Sequence, residues 1–115
     1  MTYEIRTTEK FERQAKRLTK KYPSLKHELA QLGENLSEDP IQGTSLGKSF
    51  FKIRLAIKSK GKGKSGGARV ITYLIFNKLK MEKVDRIYMT AIYDKSEYET
   101  ISNKVLEQII SDIKF

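Results

Sequence analysis

From Pro40 to Met81 the chain carries no acidic side chain and ten basic ones: Lys48, Lys52, Arg54, Lys58, Lys60, Lys62, Lys64, Arg69, Lys78 and Lys80. Cations without partners are almost never buried, so any fold of this segment must hold them on a surface. The remaining 13 basic and 14 acidic residues nearly cancel, and the formal net charge of +9 therefore belongs to this one stretch. Such a concentration repels itself unless a polyanion relieves it. A phosphate backbone fits that need, because each cation it meets releases counterions.

The same segment has a legible strand. Over Phe50 to Lys58, Phe51, Ile53, Leu55 and Ile57 alternate with Lys52, Arg54, Ala56 and Lys58. A period of two sends the first set to a core and the second to the opposite face. Ala68 to Asn77 is apolar on both faces, as in a central strand, and Val84 to Tyr93 reads as a further strand. Lys78 to Lys83 is expected to turn the chain between them. At the front, Thr2 to Thr7 alternates as a short strand with Tyr3 and Ile5 on one face. Thr8 then caps a helix to about Tyr22, with Phe11, Ala15, Leu18 and Tyr22 at helical spacing. After Pro23-Ser24 a second helix shows Leu25, Leu29, Leu32 and Leu36, and the short link predicts a helical hairpin. Ser37 to Ser49 reads as a loop. Asp94 to Ser96 leads into a last helix, Glu97 to about Lys114, striped by Ile101, Val105, Ile109 and Ile113 with Leu106 and Ile110 alongside. The expected architecture is one α+β domain over residues 1–115: β-α-α-β-β-β-α, a small, mainly antiparallel four-stranded sheet with an N-terminal helix hairpin and a C-terminal helix.

The chain has no Cys. That excludes disulfides, thiolate catalysis and Cys-based metal sites, and suits a reducing cytoplasm. Met1 to Lys10 has no apolar run, so no secretory signal is expected. No stretch approaches 18 apolar residues, so neither a membrane span nor a membrane partner is expected.

Lys58-Ser-Lys-Gly-Lys-Gly-Lys-Ser-Gly-Gly67 reads as a hairpin loop. It is not a phosphate-binding P-loop. Five residues before Gly63 stands Lys58 where that motif needs Gly, and a strand follows where it needs a helix. Two readings stand for it: a solvated tip that Lys keeps from edge pairing, or a finger that tracks phosphates with Lys58, Lys60, Lys62 and Lys64. Lys52 and Arg54 reach one face of their strand, and Arg69 opens the partner strand. Tyr73, Tyr88 and Tyr93 lie near them, as stacking platforms or as ordinary packing. The single His27, on the second helix between Lys26 and Glu28, reads as a surface residue, and histidine-pair ribonuclease chemistry is excluded by the count.

RNA carries its own nucleophile, the 2′-hydroxyl. Cleavage needs that hydroxyl deprotonated, the phosphate charge stabilised and the 5′-oxygen protonated. Arginine suits the phosphate through its bidentate fork. Lysine can serve as a base where clustered cations lower its pKa. No metal and no other cofactor is expected, because the basic segment offers no acidic ligands and His27 has no companion.

With these residues assembled, the chain resembles the RelE/HigB-type toxins of bacterial toxin–antitoxin modules over nearly its full length. The likeness rests on element order, on Phe51-Lys-Ile-Arg-Leu-Ala-Ile57 followed by Gly66-Gly-Ala-Arg-Val-Ile-Thr-Tyr73, and on Ala91-Ile-Tyr-Asp-Lys-Ser-Glu97. The run from Gly61 to Ile71 is similar to the HigB-type branch more than to the gyrase-directed ParE branch. The resemblance implies a cytoplasmic mRNA endoribonuclease working at the ribosome, held inactive by a cognate antitoxin, acidic or of helix-turn-helix type, and monomeric when alone. It implies Lys52 as base, Arg54 and Arg69 on the scissile phosphate, and Lys95 aiding the leaving group. Several relatives have a Tyr six residues beyond that last position. Here Ile101 stands there, with Tyr98 or Tyr93 as substitutes. A ParE-like gyrase inhibitor and a nucleic-acid-binding module without chemistry are the competing functions.

Overall fold

The computed structural model describes residues 3–61, 63–77, 83–97 and 102–113, with the backbone alone at 64, 65, 77 and 83. The elements run β1 (Glu4–Thr7), α1 (Glu9–Lys21), α2 (Leu25–Glu38), β2 (Thr44–Gly47), β3 (Phe50–Leu55), a 3-10 turn (Lys58–Lys60), the single turn α3 (Gly63–Gly66), β4 (Ala68–Asn77), β5 (Lys83–Asp94) and α4 (Asn103–Asp112).

Thr8 caps α1 as expected. Its hydroxyl oxygen accepts from the Phe11 N–H at 3.2 Å and donates to the Thr90 carbonyl at 3.0 Å. One residue thus starts a helix and ties it to β5. Phe11 and Leu18 from α1, with Leu25, Leu32 and Leu36 from α2, are buried against Ile53, Val70, Leu74, Ile87 and Ile92 of the sheet. The four-and-three spacing of these apolar residues is what lets each helix present one face to one layer. On the other face, Leu106, Ile109 and Ile113 of the α4 segment close over Phe50, Ile71, Tyr88 and Ala91.

The sheet has five strands in the order β1-β5-β4-β3-β2, and this corrects the expected four. β2 lies inside the stretch read as a loop. It is four residues long and has no alternation of apolar and polar groups to mark it, being an edge strand. β1 pairs with β5 in parallel, Glu4 to Arg86 through Thr7 to Met89, while β2, β3, β4 and β5 pair antiparallel in turn. Past the end of β1, α1 takes over beside β5, where the Gln14 Oε1 accepts from the Ile92 N–H at 3.0 Å. The free strand edge is covered by a helix.

Three boundaries move. β3 stops at Leu55, not Lys58, because the chain turns into the 3-10 segment. Most of the turn expected at Lys78 to Lys83 lies outside the described residues, and Lys83 itself already belongs to β5. The last helix begins at Asn103, not Glu97. Ser102 is extended and its side chain accepts from the Val105 N–H, so the helix is capped there. Among the described residues no helix is long and apolar enough to cross a membrane.

Candidate nucleic-acid interface

The register places Arg54 opposite Arg69, and Arg69 opposite Tyr93. These three stand in one row across β3, β4 and β5. The next row is Lys52, Ile71 and Ala91, and the one beyond it brings Phe50 to Tyr73 and Tyr73 to Tyr88. All belong to the α4 face of the sheet. That face is therefore divided. Its apolar half lies under α4, and its cationic half lies at the β3 end and β4 start, as the period-two reading of Lys52 and Arg54 required.

Two glycines set the flanks of β3. A Cβ on Gly67 would lie 2.0 Å from the Leu55 carbonyl oxygen, and one on Gly43 would lie 2.2 Å from that of Lys52. Only a residue without a side chain lets β4 begin directly beside the end of β3, and this is what faces Arg69 with Arg54. The glycines before Ala68 thus include one used for internal packing.

Arg54 is exposed, Lys52 is half-buried and Arg69 is buried. The Arg69 Nη1 donates to the Ala68 carbonyl at 3.1 Å. Burial, and then the charge of Arg54, pull the Arg69 pKa below its ordinary value, with Tyr93 acting the other way. The Tyr93 phenol is pushed up by burial, against the pull of Arg69. It is therefore a protonated group at neutral pH. Like charges directly opposite on a sheet are destabilising. Arg54 and Arg69 nonetheless face each other here, with Lys52 in the adjoining row, and guanidinium forks suit phosphate oxygens. Among the described residues no cluster of three His, Asp or Glu side chains is placed to hold a metal ion.

The other expected site residues divide. The exposed Lys95 follows β5 directly, and its N–H donates to the Gly67 carbonyl at 3.1 Å, so it stands at the same end of the sheet as the arginine row. Lys58 is exposed, with its backbone N–H held by Glu28 Oε1 at 2.7 Å. Lys60 is not a free finger residue. Its ammonium lies 2.5 Å from Asp94 Oδ1, is only 12% exposed, and sits 5.7 Å from the centre of the Tyr22 ring. Tyr73 packs on Phe50, with ring centres 4.8 Å apart, two rows from Arg69. Tyr93 is in the arginine row, but at 3% exposure it has no open ring face for a base. Lys62, Tyr98 and Ile101 lie outside the described residues, as does the side chain of Lys64.

Sequence reasoning missed the clamp that docks the basic loop. Asp94 is buried and takes bonds from Lys60, from the Tyr22 hydroxyl at 2.8 Å and from the Ser96 N–H at 3.0 Å. Burial opposes its charge, yet these donors hold its carboxyl well below the usual carboxylate range. Ser59 adds a bond to Ser24 at 2.9 Å. The signal was indirect: an acid-free segment can pair its cations only with carboxylates from elsewhere in the chain. A larger cleft, about 680 Å³, opens between the start of α1 and the end of α4 and is lined by Thr8, Lys10, Arg13, Thr90 and Asp112. It meets β5 at Tyr88 and Thr90, not at Tyr93, and so lies apart from the arginine row.

No protein-family model matches the chain. Among solved structures, a double arginine-to-alanine mutant of the E. coli toxin RelE in the free state aligns with a TM-score of 0.59 and 14% identity, covering 99% of this chain and 100% of that one. The fold is RelE-like. At that identity the likeness shows a shared fold.

Proposed function

We propose that this chain is the toxin of a type II toxin–antitoxin module of the HigB-type branch, and that it cuts mRNA on the ribosome without a metal. The observation that carries the reading is the register that faces Arg54 with Arg69 and sets Lys52 in the adjoining row. The RelE-like fold of a named toxin supports the class. In this reading Lys52 takes the proton of the RNA 2′-hydroxyl. The 2′-oxygen attacks the adjacent phosphorus, and the bond to the 5′-oxygen breaks. Arg54 and Arg69 hold the charge that builds on the non-bridging oxygens. Lys95 supplies positive charge, and its proton, to the departing 5′-oxygen. The products are a 2′,3′-cyclic phosphate and a 5′-hydroxyl. Lys58, with Lys62, Lys64 and Tyr98, belongs to the surface that meets RNA or ribosome. The toxin works in the cytoplasm as a monomer until a cognate antitoxin, acidic or carrying a helix-turn-helix, covers the cations.

Primer extension on ribosome-bound mRNA tests this. Wild-type protein is expected to give discrete cuts within codons. Arg54→Ala, at an exposed position, is expected to stay folded and lose about 10²- to 10³-fold in rate, as when one transition-state donor is removed. Arg69→Ala is expected to abolish growth arrest. An Arg54→Ala protein that cuts as fast as wild type overturns the site. Arrest of supercoiling without any cut transcript replaces the reading with that of a gyrase inhibitor.

A further inference from the structure

A second cationic surface lies outside the acid-free segment, on a helix that packs against the face of the sheet opposite to the arginine row. The α1 sequence, EKFERQAKRLTKK, holds six basic residues against two acidic ones. At about 100° per residue, Lys10, Arg13, Lys16, Arg17, Lys20 and Lys21 all fall within an arc of about 140°, on the side away from buried Phe11 and Leu18. Arg17 is bound by Glu97 at 3.0 Å. Among the described residues no carboxylate lies within ion-pair reach of the other five cations, and all of these but half-buried Lys10 are exposed. A shallow groove runs along one border of this arc, lined by Arg13, Lys16 and Lys20 with Glu12, Ala15 and Thr19.

An ordinary solvated helix face does not need this pattern. The neighbouring α2 carries one Lys and three Glu. On α1, Lys10–Arg13, Arg13–Arg17, Lys16–Lys20 and Arg17–Lys21 are like charges three or four residues apart, each pair mildly destabilising to the helix. Lys10 also sits in the first turn, where the helix dipole disfavours a cation. The cost is relieved by a line of negative charge. From Lys10 to Lys21 the helix spans about 17 Å, over which one nucleic-acid strand offers about five phosphates. The five cations without a carboxylate partner among the described residues match that number.

We infer that the outward face of α1 is a docking surface for the backbone of duplex RNA, separate from the sheet site. Single strands are gripped by cations interleaved with aromatic rings; the ring beside this arc, Tyr22, lies 5.4 Å from the Lys21 ammonium and is tied by its hydroxyl to buried Asp94. Duplex RNA is read by shape and phosphate contacts, which is all the arc offers. The choice of RNA over DNA rests on the proposed function. The assignment of a duplex backbone to α1 does not.

The test is binding of the full-length protein to a blunt, labelled 20-base-pair RNA duplex across a salt series, beside a DNA duplex of the same sequence. The variant Lys10→Gln, Arg13→Gln, Lys16→Gln, Lys20→Gln keeps good helix formers at exposed and half-exposed positions. It is expected to keep the wild-type melting profile, to lose at least about tenfold in duplex affinity, and to flatten the slope of log affinity against log salt by about three to four. Lys52→Gln with Arg54→Gln is expected to leave duplex binding unchanged. An unaltered slope in the α1 variant, equal loss in the sheet variant, or tighter binding of DNA than of RNA overturns the inference. A wild-type protein that binds the duplex through α1 but cuts no message would remove the proposed reaction and leave this surface standing.

Discussion

Asp94 and Lys60 show how much one residue pair decides. Asp94 is 1% exposed and Lys60 is 12% exposed, so their attraction is little screened by water or salt. The carboxyl of Asp94 is held below its unfolded value near 3.9. A depressed pKa stabilises the fold above the unfolded value and ceases to do so as pH falls through the folded one. Asp94→Asn is therefore expected to cost about 3 kcal/mol at pH 7, where a buried ammonium loses its partner. That gap is expected to narrow below about pH 4, as the unfolded wild type takes up the proton that the folded state refuses. Urea unfolding of both proteins at pH 7, 4 and 3 measures it. A gap that stays constant across that range would mean the pair contributes nothing through its charge. Lys52 and Arg54 were legible because alternation along one strand is a local property. Lys60 was not, because Tyr22 and Asp94 lie 38 and 34 residues away in the chain and nothing in the loop itself points to them.

Among the elements, the β2–β3 hairpin carries strain that the sequence concealed. Its two turn residues, Lys48 and Ser49, have φ of 54° and 69°. Gly47 pairs with Phe50 around them, which makes a two-residue turn with both centres left-handed. Such turns favour Asn-Gly, and their absence is one reason Thr44 to Ser49 read as a loop. The turn is held from both sides: Lys48 meets Glu107 of α4 at 2.7 Å, and the Ser49 carbonyl accepts from the Leu74 N–H at 3.0 Å. A side chain in the left-handed region costs about 1–2 kcal/mol. Ser49→Gly removes that cost and leaves the Lys48 contact in place, so it is expected to raise stability by about 1 kcal/mol. A denaturant midpoint that does not move, or falls, would show that the turn is not strained at Ser49. The parallel β1–β5 pair was beyond the sequence for a different reason. Alternation in Tyr3 and Ile5 fixes which face is buried but not which neighbour the strand chooses, and β5, its parallel partner, follows only after α1, α2 and three further strands.

At the scale of the molecule, the charges are sorted rather than mixed. One cationic zone sits on the α4 face of the sheet and another on α1, while α2 and α4 carry the acidic excess. With a net charge of +9, the folded state concentrates repulsion that the unfolded chain spreads out. Salt has two opposing actions on such a protein. It screens the exposed ion pairs Arg6–Glu4 and Lys48–Glu107, which contribute little. It also screens the repulsion within each zone. The buried Lys60–Asp94 pair responds to neither. Repulsion involves more charges than the surface pairs do, so stability is expected to rise as sodium chloride goes from low to physiological strength. Gln at Lys52, Arg54, Lys16 and Lys20 together is expected to flatten that rise. A nucleic-acid ligand at a hundred times its Kd is expected to add about 2.7 kcal/mol by mass action, less in high salt because its own binding weakens there. Thermal unfolding across a salt series, with and without duplex, separates these terms. If the wild type loses stability steadily as salt is added, attraction between surface pairs outweighs repulsion within the zones, and the charge sorting does not tax the fold in the way argued from the facing arginines.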